Sequence, residues 1–392
     1  MKVALVHQRW STRGGAEKYM VHLVSELLKR GHSIELIVHR VELAVPDGVT
    51  VHHVPMFRYP LWLRLLSFAF FSQSFLTHCQ YDVSFGFGKV WGPDVVRMSG
   101  GCHRAYQERI AFARAGKLAP EKQTTSLKHA FSPFHIVNRF IEDKLFQEAN
   151  HIIAVSHLVQ QDILRFYQGA STIQVIHNGK NPNVIDEEKT IAARRKIEQE
   201  LQVPERATIL LFIATNPLLK GLEYLLQAFS SFDQAFRSDF KPVLVTIGAS
   251  KTSSITNLVK KYHLVQSVRN VNFVSDMELY YRGADLLIHP TLYDAFANVC
   301  LEAMSYGLPV LTSTLNGGAE IYTSGVDGLI IEQPWNKELL ARLIMEAISG
   351  SKLKEIGQRG HELLKRYTFQ QNVDRVEKLL LKVAAEKGLT GG

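Results

Sequence analysis

Short runs rich in β-branched residues alternate with helical patterns along nearly all of the chain, and few architectures accept that alternation. In the first half the runs fall at 3–6, 34–38, 49–54, 82–85, 95–98, 152–155 and 173–176. The second half has them at 209–213, 244–247, 271–274, 286–289, 310–312 and 329–331. Strands joined through helices make parallel sheets covered by those helices, so the expected class is α/β, doubly wound. At 392 residues the chain exceeds the roughly 250–300 residues that one core serves, so two such domains are expected. Between the two sets of strands, 178–204 carries Asn178-Gly179, Asn181-Pro182 and a charged helical stretch at 187–201, which puts the hinge there.

Several function classes are excluded early. A hydrophobic content of 46% with 21% charged residues is that of an ordinary soluble globular protein. Cys79, Cys102 and Cys300 are odd in number and form no CxxC pair, so neither a disulfide framework nor a zinc site is indicated and a reducing compartment is expected. Met1 to His7 is a short strand running into a polar loop, too brief for a signal peptide, so a cytoplasmic location is expected. A dinucleotide oxidoreductase would want Gly-x-Gly-x-x-Gly after the first strand, which Gly14-Gly15 does not supply.

The net charge of +8 asks for an anionic partner. Cations outnumber acids from Arg104 to Lys144, with Arg104, Arg109, Arg114, Lys117, Lys122 and Lys128 recurring. No nucleic-acid-binding motif accompanies them, so anionic lipid or a phosphorylated glycolipid is expected in preference to nucleic acid.

Asp294 and Glu302 stand eight residues apart in a stretch that reads as strand end, polar loop, and a helix from about Asn298 to Tyr306. Glu302 then lies one turn into the helix and Asp294 in the loop before its N-terminus. Amide groups and the positive end of the helix suit a phosphate, and flanking carboxylates suit hydroxyl-rich groups, which together describe a nucleotide sugar. The segment resembles the acid-x7-acid motif of retaining family-4 glycosyltransferases (glycosyl transferases group 1) with the GT-B fold. That fold is two doubly wound Rossmann-like domains facing across a cleft.

The resemblance implies that Glu302 binds ribose and Asp294 the donor sugar, with the backbone of Phe296, Ala297, Asn298 and Val299 near sugar and diphosphate. Asp stands where the family usually has Glu at 294. Gly14-Gly15-Ala16-Glu17 is similar to the family's glycine loop facing the donor phosphates, and Lys220, in Thr215-Asn216-Pro217-Leu218-Leu219-Lys220-Gly221, matches its phosphate-binding Lys. Many members carry a second cation in that loop, and here Thr215, Leu218 and Leu219 fill it. Thr215, Asn216, Phe273 and Val274 are counted on the donor side. His103, after the run at 95–98, is expected at the donor sugar with a catalytic role beside Lys220 and Asp294, and Arg104 at the acceptor. Ser156 and Asn178-Gly179 resemble family landmarks. The implied boundaries are 1–180, joined by a terminal helix at 369–392, and 181–368.

The implied reaction moves a hexose, from UDP-hexose as the expected donor, to a glycan or lipid-linked acceptor with retention at the anomeric carbon. Lys220 and the helix start take the diphosphate charge, and no metal and no cofactor is expected. A narrower resemblance, to lipopolysaccharide-core glucosyltransferases, implies cell-envelope synthesis. The alternative is a non-catalytic nucleotide-sugar-binding or regulatory protein of the same fold. Residues 60–71 are almost wholly apolar but too few to span a bilayer. Two readings stay open: a helix packed on the sheet, or Trp62, Phe70 and Phe71 set into an anionic membrane interface on the cytoplasmic side.

Overall fold

The computed structural model describes residues 1–78, 80–115, 132–169, 172–248, 252–274 and 276–390. It forms two compact units. The first takes its described residues from Met1–Ala111, Lys122–Asn178 and Gln370–Gly392. Its sheet has seven strands in the order β3-β2-β1-β4-β5-β6-β7. These are β1 (Lys2–Trp10), β2 (Ser33–Val41), β3 (Val49–His53), β4 (Val83–Phe87), β5 (Val95–Met98), β6 (His151–Ala154) and β7 (Thr172–Val175), all parallel. Val3, Ala4, Leu5 and Val6 are fully buried because helices cover both faces, which is why these strands read as unbroken apolar runs.

β1 runs further than the sequence reading, which gave Arg9 and Trp10 to the following loop. Both pair along β2, Arg9 with Arg40 and Trp10 with Val41, and the buried Trp10 indole donates to the Ala44 carbonyl at 3.2 Å. The helix Gly15–Lys29 buries Met20, Leu23, Val24 and Leu27, a stripe at helical spacing. The helix Leu61–His78 seats Phe68 among Ala4, Val6 and Ile37, so its inner face packs on the sheet, while Phe70 is 59% exposed. No described helix is long and apolar enough to cross a membrane.

The helix Phe369–Thr390 completes this unit. Its Val373, Val376 and Leu380 are buried, Asn372 accepts from the Tyr19 hydroxyl at 2.8 Å, and Asp374 and Glu377 hold Arg30 at 2.6 and 2.5 Å. A fully buried aliphatic side chain of this kind contributes about 1.5–3 kcal/mol.

The second unit takes its described residues from Phe112–Glu121 and Gly179–Phe369. Six parallel strands run in the order β10-β9-β8-β11-β12-β13: β8 (Ile209–Ile213), β9 (Val243–Ile247), β10 (Val268–Val271), β11 (Leu286–His289), β12 (Val310–Ser313) and β13 (Leu329–Ile331). Leu210, Phe212, Phe229, Ile288 and Leu311 belong to its core. β10 lies three residues before the expected 271–274. It is an edge strand, where Arg269 and Asn270 are tolerated, and its pairing with β9 ends at Val271. In each unit the strand order reverses direction at a central pair, β1/β4 and β8/β11, the place where doubly wound sheets bind ligands at the strand C-termini.

Candidate active site

Lys220 and Asp294 come from the loops that leave β8 and β11, the two strands at the reversal point of the second unit. Two hydrogen bonds to the Leu219 carbonyl stitch those loops together, from the Leu292 amide at 2.8 Å and the Thr291 hydroxyl at 3.2 Å. Lys220 Nζ lies 2.6 Å from Asp294 Oδ2 and donates to the Tyr293 carbonyl at 3.1 Å. His289, at the end of β11 and 1% exposed, reaches the same carboxylate oxygen with Nε2 at 3.2 Å.

Burial would raise the Asp294 carboxyl, but Lys220 and His289 outweigh it and hold it well below the usual carboxylate range. Burial also lowers His289, ahead of the opposing hydrogen bond to Asp294. The pair is therefore an ionised carboxylate and a neutral imidazole, with the proton on Nε2 and the buried Nδ1 left without a partner.

The helix after this loop spans Asn298–Ser305. Glu302 sits in its second turn and accepts from the Tyr281 hydroxyl at 2.7 Å, and the Tyr281 ring stacks on Tyr306. Burial, then Glu302, raises the Tyr281 phenol, so it remains a donor. The expected row of loop amides is partly spent. Phe296 donates to Asp294 Oδ1 at 3.3 Å, and Ala297 donates to the Asn316 side chain at 3.0 Å. In the first turn, helix geometry gives the Val299 amide no intrahelical acceptor. Asn298 begins that turn and is half-buried.

Thr215 is exposed and Asn216 half-buried in the loop that ends at Lys220, with Asn216 Oδ1 accepting from the Leu219 amide at 3.4 Å. Phe273, 84% exposed, and Val274 follow the edge strand β10, two strands away from β8 rather than at the reversal point.

In the first unit, Gly14 precedes the helix that Gly15 begins, and its carbonyl accepts from the Lys18 amide at 2.9 Å. His103 opens the helix His103–Ala115 and is 5% exposed. Its Nε2 meets His135 Nδ1 at 2.9 Å between the rings of Tyr106 and Phe134, and its backbone amide bonds the Glu142 carboxylate. Burial, then the charges of Lys89, His135 and Arg139, push His103 down to about 2. The Arg104 fork bonds Asp143 at 2.9 and 3.2 Å and the Phe166 carbonyl at 3.3 Å. Ser156 caps the helix His157–Phe166, and Asn178 bonds Arg97. Lys117, Lys122 and Lys128 lie outside the described residues.

Comparison with known proteins decides the family. Residues 193–362 match the family described as Glycosyl transferases group 1, and residues 13–184 match Glycosyltransferase Family 4. The chain belongs to the GT-B glycosyltransferases. It is 24% identical over 361 residues to the lipopolysaccharide glucosyltransferase WaaG of Escherichia coli (strain K12), spanning 90% of this chain and 91% of the relative. The crystal structure of WaaG, described as a glycosyltransferase involved in lipopolysaccharide biosynthesis, superposes with a TM-score of 0.78 at 21% identity, over 96% and 99% of the two chains. Anabaena Alr3699/HepE in complex with UDP and glucose gives 0.69 at 17% identity, over 97% and 100%.

For a glycosyltransferase site, the residue that sequence reasoning missed is Asn316. It is 1% exposed, and its Oδ1 accepts from Ala297 at 3.0 Å and Gly318 at 2.9 Å while its amide donates to Thr312 at 3.1 Å. Asn316-Gly317-Gly318 just beyond β12 was the available signal, an Asx turn facing the loop of Asp294. Tyr281 and His289 were missed as well, because their partners lie in other elements.

Proposed function

We propose that this glycosyltransferase moves a hexose from a UDP-sugar to a glycan or glycolipid acceptor, with retention, in lipopolysaccharide or related envelope synthesis. The carrying observation is the 2.6 Å pair of Lys220 and Asp294 at the β8/β11 reversal, one loop from the helix that bears Glu302. An arriving diphosphate would take the Lys220 ammonium as its counter-charge, freeing the Asp294 carboxylate for the hydroxyls of the sugar. Glu302, set by Tyr281, would hold the ribose. As the bond from the anomeric carbon to the diphosphate oxygen breaks, negative charge grows where Lys220 and the helix start await it. The acceptor oxygen bonds to the same face, and its proton passes to the leaving phosphate.

This division of charge needs no metal and no cofactor. Gly14, Gly15, His103 and Arg104 keep the roles that the resemblance gives them. The names of WaaG and of the UDP-bound HepE structure support the donor and the pathway. A cytoplasmic site of action, with peripheral contact to an anionic membrane through the outer face of the helix Leu61–His78, belongs to the same proposal.

The test is incubation of the purified protein with a panel of nucleotide sugars and glycan acceptors. Release of UDP with an axial product linkage from an axial donor is expected. Release from no donor, or an inverted product, would overturn the reading.

A further inference from the structure

We infer that the first unit carries a second anion site, a pocket for a phosphate group built from Arg9, Arg40, Arg58 and Arg64. The inference rests on the proposed transfer reaction, since it gives the acceptor its chemical class. A cavity of about 660 Å³ opens at the C-terminal ends of β1 and β2, within the usual range of roughly 300–1,000 Å³ for small-molecule sites. Arg9 and Arg40 line it as register partners on those strands. Arg58 and Tyr59 enter from the loop beyond β3, and Arg64 from the first turns of the helix Leu61–His78. Met56 and His39 complete the lining, so four arginines line the space and no acidic residue does.

The charges are poorly offset. Arg40 has Glu42 at 3.1 Å, but Glu42 lies outside the lining, and the buried Arg64 Nε has no hydrogen-bond partner. Arg58 turns over the Tyr59 ring at 5.7 Å. His39 Nδ1 donates to the Val54 carbonyl at 3.0 Å. Like charges lining one space repel one another, and a bound anion relieves that repulsion.

Several forked guanidinium groups favour a tetrahedral oxyanion that takes paired hydrogen bonds, so a phosphate suits the pocket better than a lone carboxylate. Tyr59 and Met56 give it an apolar wall of the kind a sugar ring or a lipid glycerol would cover. The donor's diphosphate already has Lys220 in the second unit, so this phosphate belongs to the acceptor. It comes either from a phosphorylated sugar or from a phospholipid headgroup.

Phenylglyoxal labelling of the full chain, read by mass spectrometry, tests the site with three probes: inorganic phosphate, mannose 6-phosphate, and phosphatidylglycerol vesicles against phosphatidylcholine vesicles. Protection of Arg9 and Arg64 by any phosphate probe is expected. Protection by the sugar phosphate assigns a phosphorylated glycan, and protection by phosphatidylglycerol alone assigns a headgroup. The Arg9→Gln/Arg64→Gln variant should lose about tenfold or more in affinity for the protecting probe while binding UDP as before, and a wild-type thermal melt and circular dichroism spectrum show that its first unit still folds. Equal labelling with and without every probe, or unchanged affinity in the variant, overturns the pocket. Failure of the proposed reaction shows separately, as no UDP release from any donor while Arg9 and Arg64 are still protected.

Discussion

Gly221 lies directly against the carbonyl of Pro290: a Cβ added at 221 would stand 2.1 Å from that oxygen, and the residue is held at φ +80°. Both facts require glycine, and together they bring the loop of Lys220 onto the loop of Asp294. Gly221→Ala is expected to cost more than about 1–3 kcal/mol, the usual strain of a left-handed non-glycine residue, because backbone must also move. Urea unfolding of the variant checks it, and a midpoint equal to wild type would show that the loops are not so tightly joined.

Glu302→Ala is expected to weaken UDP binding by about 1.5–3 kcal/mol, the range for a hydrogen bond to a charged group. Tyr281→Phe, which removes only the phenol that orients Glu302, should cost about 0.5–1.5 kcal/mol. Calorimetric titration with UDP orders the two. A larger loss for Tyr281→Phe than for Glu302→Ala would contradict the assignment of the carboxylate to the ribose.

Asn316→Ala leaves the Ala297 and Gly318 amides without their shared acceptor. Each buried unsatisfied donor costs about 1–3 kcal/mol, so a clear loss of stability is expected together with loss of transfer. Asn316→Asp, which keeps the acceptor oxygen, should recover part of the stability. Thermal melts of the three proteins measure this.

His103 and His289 both titrate below the ordinary imidazole value in the folded chain. As pH falls below about 6.5 the unfolded chain binds protons that the native state refuses, so stability is full above that value and declines below it. Each such proton adds up to about 1.4 kcal/mol per pH unit to the slope. For His103, down to about 2, the decline extends through the whole accessible acid range. His103→Leu is expected to flatten the slope between pH 6 and 4 by roughly one proton, whatever its stability at pH 7.5. Urea midpoints across that range decide it, and an unchanged slope would place the proton uptake elsewhere.

Transfer is expected to survive EDTA, since Lys220 and a helix N-terminus meet the leaving diphosphate. Loss of activity that added magnesium or manganese restores would overturn this account of the leaving group.

The strands were legible because helices on both faces force them to be apolar throughout, as in β1 and β8. Edge positions were not: β10 carries Arg269 and Asn270, and the apolar pattern of Val271 and Phe273 pointed three residues too late. The spacing of Asp294 and Glu302 placed both carboxylates near one helix start without any long-range information. Their partners could not be found that way. Tyr281 is 21 residues from Glu302 and Lys220 is 74 from Asp294, and only the order of strands brings them together. The same holds for Arg9, Arg40, Arg58 and Arg64, which come from four separate segments and share no pattern along the chain.

The helix Phe369–Thr390 has a consequence for synthesis. The first unit is discontinuous in the chain, and the surface that Val373, Val376 and Leu380 bury stays bare until residues beyond 369 have left the ribosome. Nearly all of the second unit lies in the single stretch Gly179–Phe369 and emerges before that helix. The usual order, with the N-terminal domain finished first, is therefore reversed: the later-coded unit can close while the earlier one waits. A released chain truncated after residue 369 should show a protease-resistant second unit beside a first unit still open to cleavage.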